Sequence, residues 1–422
     1  MIRRIGRIVS EEGRTKILHC KDSLTLRIAG RENSFTRDRI LTAAHVVSMI
    51  IEPAKQSLQT RLKEFGVKFM SGVYATKQAF SRQRQFVNPE FIREFYDEGV
   101  ETLIKVGELE TFKGMHVTAI DGMRVACENT PELIEEFGCS GSKKNACTAL
   151  ASVVYDVMER ISYDCQIGSY SLSERALLDR HLDKLASFKD EDFLIVGDRG
   201  YPSYDLMATL IDRGFSFVLR LGENWSNIIS LLSETSDTEF QYERNGKIYT
   251  IRAIKIELAE GKYEYLVTNL GRDILAIEEA KHIYHLRWEI ETFYGFVKTE
   301  LELENFSGKT VNAVKQEFYA TMMIANICLC FINDADYAIS QQDSSKRTYE
   351  HQANRRQCVG QIVPTFLESV FTNNKRKRNK LYDEVERYCE RFSEPIRPGR
   401  NPQRKPPRDK KFYTNARKPG LS

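Results

Sequence analysis

Long apolar runs are missing from this sequence. The longest, from Tyr319 to Ile332, is interrupted by Asn326 and is too short to span a bilayer, so no membrane association is expected. Behind the charged start Met1-Ile2-Arg3-Arg4 there is no apolar segment of the kind that directs export, and the expected location is the cytoplasm. Paired cysteines are missing too. The nine cysteines are scattered, and the one close pair, Cys328 and Cys330, has a single residue between its members where a zinc or redox motif has two. That excludes a structural zinc knuckle and fits buried, reduced thiols. No internal repeat is present, which excludes a solenoid.

What is there is a chain of 422 residues, 41% hydrophobic and 29% charged, enough to fill a sizeable core in two or three domains. The net charge of +3 hides an asymmetry. From Lys375 to Lys418 sixteen Lys or Arg stand against six Asp or Glu, an excess of ten that leaves the rest of the chain about seven units negative. Six of the eleven prolines also lie beyond Asn373, so residues 373–422 are expected to form an extended basic tail without its own core. Such a tail either meets a polyanion or simply solvates the end of the chain.

Along the sequence, residues 1–110 are expected to be mostly helical. Ile40, Leu41, Ala44, Val47 and Ile51 have helical spacing, with Ser34 and Thr36 as candidate caps. From about Gly114 the texture changes to short β-rich runs, His116 to Ile120, Ala149 to Val157 and Ile161 to Ile167, expected to be joined by hairpins. A helix capped by Ser173, a buried strand Phe193-Leu194-Ile195-Val196, a helix near Ser203 and a strand Phe215 to Leu219 continue a β-α-β pattern. The expected fold class is therefore α/β with a mixed sheet over 111–310. Residues 221–270 read as a β-rich insertion with turns at Asn245-Gly246 and Glu260-Gly261. One long helix is expected over about 275–303, and a further helical region over 311–372.

Three acids stand where such a fold places reactive groups. Asp121 follows the apolar run Val117 to Ile120 and precedes Gly122; taken alone it reads first as an ordinary Asp-Gly turn. Asp198 follows a fully apolar strand and sits in Gly197-Asp198-Arg199-Gly200-Tyr201, where it either serves a ligand or pairs with Arg199 or caps the next helix. Glu291 shares a helical face with Tyr284, Arg287 and Lys298, at spacings of three, four and seven. That face suits a phosphate and a metal, and equally a solvated Arg287–Glu291 pair. Without histidine or thiolate beside them, the three carboxylates suit Mg2+, or Mn2+, better than zinc. Two such ions can activate an attacking oxygen and stabilise a leaving one at phosphorus.

These residues resemble the DDE transposases of bacterial insertion sequences, in the IS-four family group whose signature is Tyr-x2-Arg-x3-Glu-x6-Lys. Tyr284, Arg287, Glu291 and Lys298 match it at every spacing, and Asp121-Gly122 and Gly197-Asp198-Arg199-Gly200-Tyr201 are similar to its first two motifs. Met123 departs from the Thr that often follows the first Asp-Gly. The resemblance covers roughly residues 36–309 and the basic end. It implies an RNase H-like catalytic domain with a β-rich insertion, preceded by a helical DNA-binding region. Asp121, Asp198 and Glu291 are implied to be catalytic and to bind Mg2+, and Tyr284, Arg287 and Lys298 to hold DNA phosphates. Trp288 is expected in the core or stacked on an unpaired base, and Lys309 either reaches DNA or closes the helix end. His282 and His285 flank Tyr284 as polar-face residues. The implied partners are double-stranded DNA, both terminal inverted repeats and target, and a second copy of the chain on paired ends, in a bacterial, nucleoid-associated setting. Two other functions fit the same residues: a related nuclease that cuts without joining, and a regulator that binds DNA without cutting.

Overall fold

The computed structural model describes residues 4–36, 40–53, 56–106, 109–140, 146–259, 261–342 and 347–397. The amino-terminal part is helical: α1 (Ile5–Leu18), α2 (Ala43–Ile51), α3 (Leu58–Phe69), α4 (Lys77–Arg84) and α5 (Pro89–Val106). A sheet region follows with β1 (Met115–Ala126), α6 (Pro131–Phe137), β2 (Cys139–Ser140), β3 (Ala146–Asp156), β4 (Ile161–Ser169), α7 (Glu174–Ala186), β5 (Asp192–Gly197), α8 (Tyr204–Asp212), β6 (Ser216–Arg220), α9 (Ser226–Leu231), β7 (Asp237–Arg244), β8 (Lys247–Ala259) and β9 (Lys262–Thr268). The chain closes with α10 (Ile277–Leu286), α11 (Trp288–Thr299), α12 (Val311–Ser340), β10 (His351–Ala353), α13 (Arg355–Phe371), α14 (Lys375–Arg391) and β11 (Ser393–Pro395).

The fold is mixed α/β. Among the described residues one nine-stranded sheet runs β2-β3-β1-β5-β6-β9-β8-β7, with β4 also on β3. Only β1–β5 and β5–β6 are parallel, the latter pair joined directly through α8; the others are antiparallel. The β-rich segment after Leu221 extends the main sheet through β9 against β6. β3 is buried along its whole length, as a strand covered on both faces must be.

Helices from both ends of the chain form one body around α12, which packs against α1, α5, α13, α14 and β4. At 30 residues α12 is long and apolar enough to cross a membrane, longer than the run legible in the sequence, but 94% of its most apolar window is buried by the rest of the chain. Gly6 permits a close crossing of α1 on α12: a Cβ there would lie 2.6 Å from the Phe331 ring. Its backbone N–H donates to the buried Asp334 carboxylate at 2.9 Å.

Four expectations need correction. Residues near Ser34 and Thr36 do not start a helix; α2 starts at Ala43, capped by the Thr42 side chain, and Ile40 is 59% exposed. The hairpin expected after β1 is instead a connection through α6 and β2. The single helix over 275–303 is two, joined at Arg287 by short-range bonds from Arg287 N–H to Tyr284 and from Ile290 N–H to Arg287. The basic tail does not begin at 373. Arg378, Tyr382, Val385 and Cys389 point inward from α14 at helical spacing, and Arg378 pairs with Glu11 at 2.8 Å. The remaining tail, residues 398–422, lies outside the described residues.

Candidate active site

β1 and β5 run parallel, with Ala119 opposite Val196 as their last pair. β5 then ends at Gly197, while β1 continues to Ala126 paired with β3 alone. Carried two residues further, the register sets Asp121 level with Asp198. The two acids therefore stand at the carboxyl edge of neighbouring parallel strands, where the strands part. A carboxyl-end divergence of this kind is where open α/β sheets place ligands.

Each acid is held by its own surroundings. The Asp121 carboxylate accepts the Gly122 N–H at 2.9 Å. The Asp121 backbone carbonyl accepts two hydroxyls, Tyr294 at 2.5 Å and Ser152 at 3.3 Å. The Asp198 carboxylate accepts the Gly200 N–H at 2.8 Å, which folds the loop back on itself. Gly197 lets this happen against β6, since a Cβ there would come within 2.7 Å of Leu219.

Glu291 lies in the first turn of α11 and reaches Arg287 at 3.1 Å; its side chain is 40% exposed, that of Arg287 only 8%. Burial pulls the Arg287 pKa down, but Tyr284, Glu291 and Asp121 outweigh it and raise the value above the ordinary one. Asp121 is thus among the charges that act on this guanidinium, while Glu291 is its hydrogen-bonded partner. Burial also raises Tyr284 above the usual phenol range. Among the described residues Arg287 Nε is buried with no hydrogen-bond partner, an unmet donor on the guanidinium that holds Glu291.

The other expected contacts divide. Lys298 donates to the Arg124 carbonyl and pairs with Glu304 at 3.1 Å, so its charge is already partnered. Trp288 is not in the core: it is 46% exposed, with the Arg287 guanidinium 5.3 Å from its ring. It edges an open cavity of about 520 Å³ together with Arg220, Glu264, Lys281, His282 and His285. Lys309 is exposed and pairs with Glu128 at 2.6 Å. Among the described residues no three Asp, Glu, His or Cys side chains are grouped closely enough to hold a metal ion.

Tyr294 was not singled out in the sequence, although it sits three residues after Glu291 and four before Lys298 on the same helical face. Also unforeseen is the polar chain behind β1. The Ser152 hydroxyl that touches Asp121 also meets His181 at 2.9 Å, and His181 meets Asp164 at 2.6 Å. All three side chains are buried. Burial pushes the Asp164 pKa up, but His181 and Arg93 outweigh it and hold the carboxyl below the usual range.

Residues 112–327, just over half of the chain, match the model of the transposase DDE domain family. The chain belongs to this family. Its DDE domain therefore spans β1 to much of α12 and contains Asp121, Asp198 and Glu291. A probable transposase for insertion sequence element IS5377 from Geobacillus stearothermophilus is 26% identical over 152 residues, which are 33% of this chain and 40% of that protein. The piggyBac transposase synaptic complex with hairpin DNA aligns over 90% of this chain and 82% of its own, with 10% identity and a TM-score of 0.46. The Drosophila P element transposase strand transfer complex aligns over 90% and 87%, with 12% identity and a TM-score of 0.23.

Proposed function

We propose that this DDE-family chain is a DNA transposase that cuts at the ends of its element and joins the freed 3′ ends to target DNA. The observation that carries the proposal is the β1–β5 register, which sets Asp121 level with Asp198, while Arg287 reaches Glu291 at 3.1 Å. In this reading the sheet region is RNase H-like, and Asp121, Asp198 and Glu291 are the catalytic acids.

The three carboxylates are hard oxygen donors, a set that suits Mg2+ or Mn2+. Glu291 is turned to Arg287 here, so it would join the two aspartates only by exchanging that partner. When bound, the metal would lower the pKa of an attacking oxygen and neutralise charge at phosphorus. The chain's own residues do the rest. Tyr294 fixes the Asp121 peptide, the Gly200 N–H orients Asp198, and Arg287, once released by Glu291, turns its unmet N–H to a DNA phosphate. Tyr284, Lys298, Trp288 and Lys309 complete the DNA-binding set, with exposed Trp288 available to stack on a base. The enzyme works as a homodimer on paired inverted repeats, in the bacterial cytoplasm near the nucleoid.

The test uses purified protein and labelled duplexes carrying the inverted repeat that flanks the gene, in Mg2+ and in EDTA. Metal-dependent nicking with joined product supports the transposase. Nicking without joining supports a nuclease, and specific binding without nicking supports a regulator.

A further inference from the structure

On the side of the acids away from Trp288, an open trough of about 740 Å³ is lined by Gly122, Arg124, Tyr170, Arg175, Gly200 and Tyr201, among others. Gly122 and Gly200 belong to the segments that carry Asp121 and Asp198, so the trough begins where the acids end. Arg124 and Arg175 are exposed, and among the described residues neither forms a salt bridge. Arg124 lies over the Tyr170 ring at 5.3 Å, and Arg175 donates to the Gly200 and Pro202 carbonyls at 3.2 and 3.4 Å. Among the described residues no acidic side chain lines it. The cavity on the Trp288 side, in contrast, mixes cations with Glu264 and Glu278.

Two arginines already held in place by a ring and by backbone carbonyls form a rigid cationic rim whose forked donors match phosphate oxygens. The sheet order explains why the two flanks differ. The Trp288 cavity is built on β6, β8, β9 and α10, the trough on the far end of β1, β3, α7 and the loop after β5, and Asp121 and Asp198 border the trough on the side of β6. DNA crossing the acids must occupy both flanks.

Resting on the function proposed above, we infer that this trough binds the phosphate backbone of the DNA beyond the scissile bond, the flanking duplex, while the Trp288 side holds the element's end. Arg124 and Arg175 each meet a phosphate and thereby register the flank across Asp121 and Asp198.

Binding of the full chain is measured in EDTA, where nothing is cut. One duplex ends flush at the tip of the inverted repeat, and a second continues for about one helical turn, ~10 bp, into flanking DNA. The parental protein binds the flanked duplex more tightly than the flush one. The Arg124→Ala/Arg175→Ala variant keeps its affinity for the flush end but loses that gain, about tenfold, with a salt slope lower by about two. Because Arg175 also braces the Asp198 loop, Arg124→Glu is tested alone; among the described residues the Arg124 side chain rests on the Tyr170 ring, away from that loop, and the variant loses the same gain. Unchanged binding to the flanked duplex, or an equal loss on both duplexes, overturns the inference while leaving the proposed function standing. A parental protein that binds the flush end no better than random duplex overturns the proposed function and this inference with it.

Discussion

The Tyr294 hydroxyl donates a 2.5 Å hydrogen bond to the backbone carbonyl of Asp121, tying the helix that carries Glu291 to the strand that carries the first acid. The link runs through the peptide, so it fixes the position of one acid relative to the other without consuming either carboxylate. Tyr294→Phe removes this donor, while the Ser152 hydroxyl still donates to that carbonyl. The expected cost in stability is about 1 kcal/mol. Nicking in a single turnover at saturating DNA is expected to slow ten- to a hundredfold, roughly the effect of a small misplacement. End-binding affinity should not move, and an unchanged nicking rate counts against a positioning role.

Arg287 serves Glu291 with one nitrogen and has Nε unmet. Arg287→Ala is expected to weaken end binding about tenfold or more, the size of a lost charge-assisted contact. Arg287→Lys restores only part of it, since an ammonium replaces the charge but not the fork. Fluorescence anisotropy with a labelled inverted-repeat duplex checks both; full recovery by lysine refutes the forked contact.

Gly197→Ala would bring a Cβ within 2.7 Å of Leu219 and 3.4 Å of Tyr201, beside Asp198. Overpacking of this kind costs about 1–3 kcal/mol. Thermal unfolding should show a midpoint a few degrees lower, and nicking should fall because the displaced residue is the neighbour of an acid. A variant as stable and active as the parent would mean that β6 yields freely.

At the other end of β1, His116 is buried between Glu191, at 2.9 Å, and Tyr163, at 3.1 Å. Burial lowers its pKa, but Asp156 and Glu191 outweigh that and raise it above the ordinary value. The folded state therefore holds a proton that the unfolded chain releases near pH 6.5. This stabilisation is full below about pH 6.5 and is lost as pH rises through the raised value. Urea midpoints should decline from mildly acid to mildly alkaline pH in the parent and decline less in His116→Gln.

The strands that lead to Asp121 and Asp198 were legible because a buried parallel strand leaves a run such as Phe193 to Val196, ended by a glycine and an acid. What escaped the sequence was tertiary. Trp288 resembles a core residue by composition, and only the surrounding helices and strands leave it exposed. The cluster of Lys375 to Arg378 concealed the inward stripe of Tyr382, Val385 and Cys389, so composition masked periodicity. The break at Arg287 leaves no mark of glycine or proline. Buried links such as Ser152 to His181 pair residues 29 apart in sequence, beyond the reach of local pattern.

The central claim is that Asp121, Asp198 and Glu291 act as one metal-dependent centre, and it is tested most directly by Asp121→Asn, Asp198→Asn and Glu291→Gln in the Mg2+ nicking assay. Each substitution is predicted to reduce nicking of inverted-repeat DNA by about a thousandfold or more, the scale on which members of a catalytic unit act. End binding in EDTA should stay intact and the thermal midpoint close to the parent's. Substantial nicking by any one of the three, at parental DNA affinity, would contradict the assignment of that acid and the single centre with it.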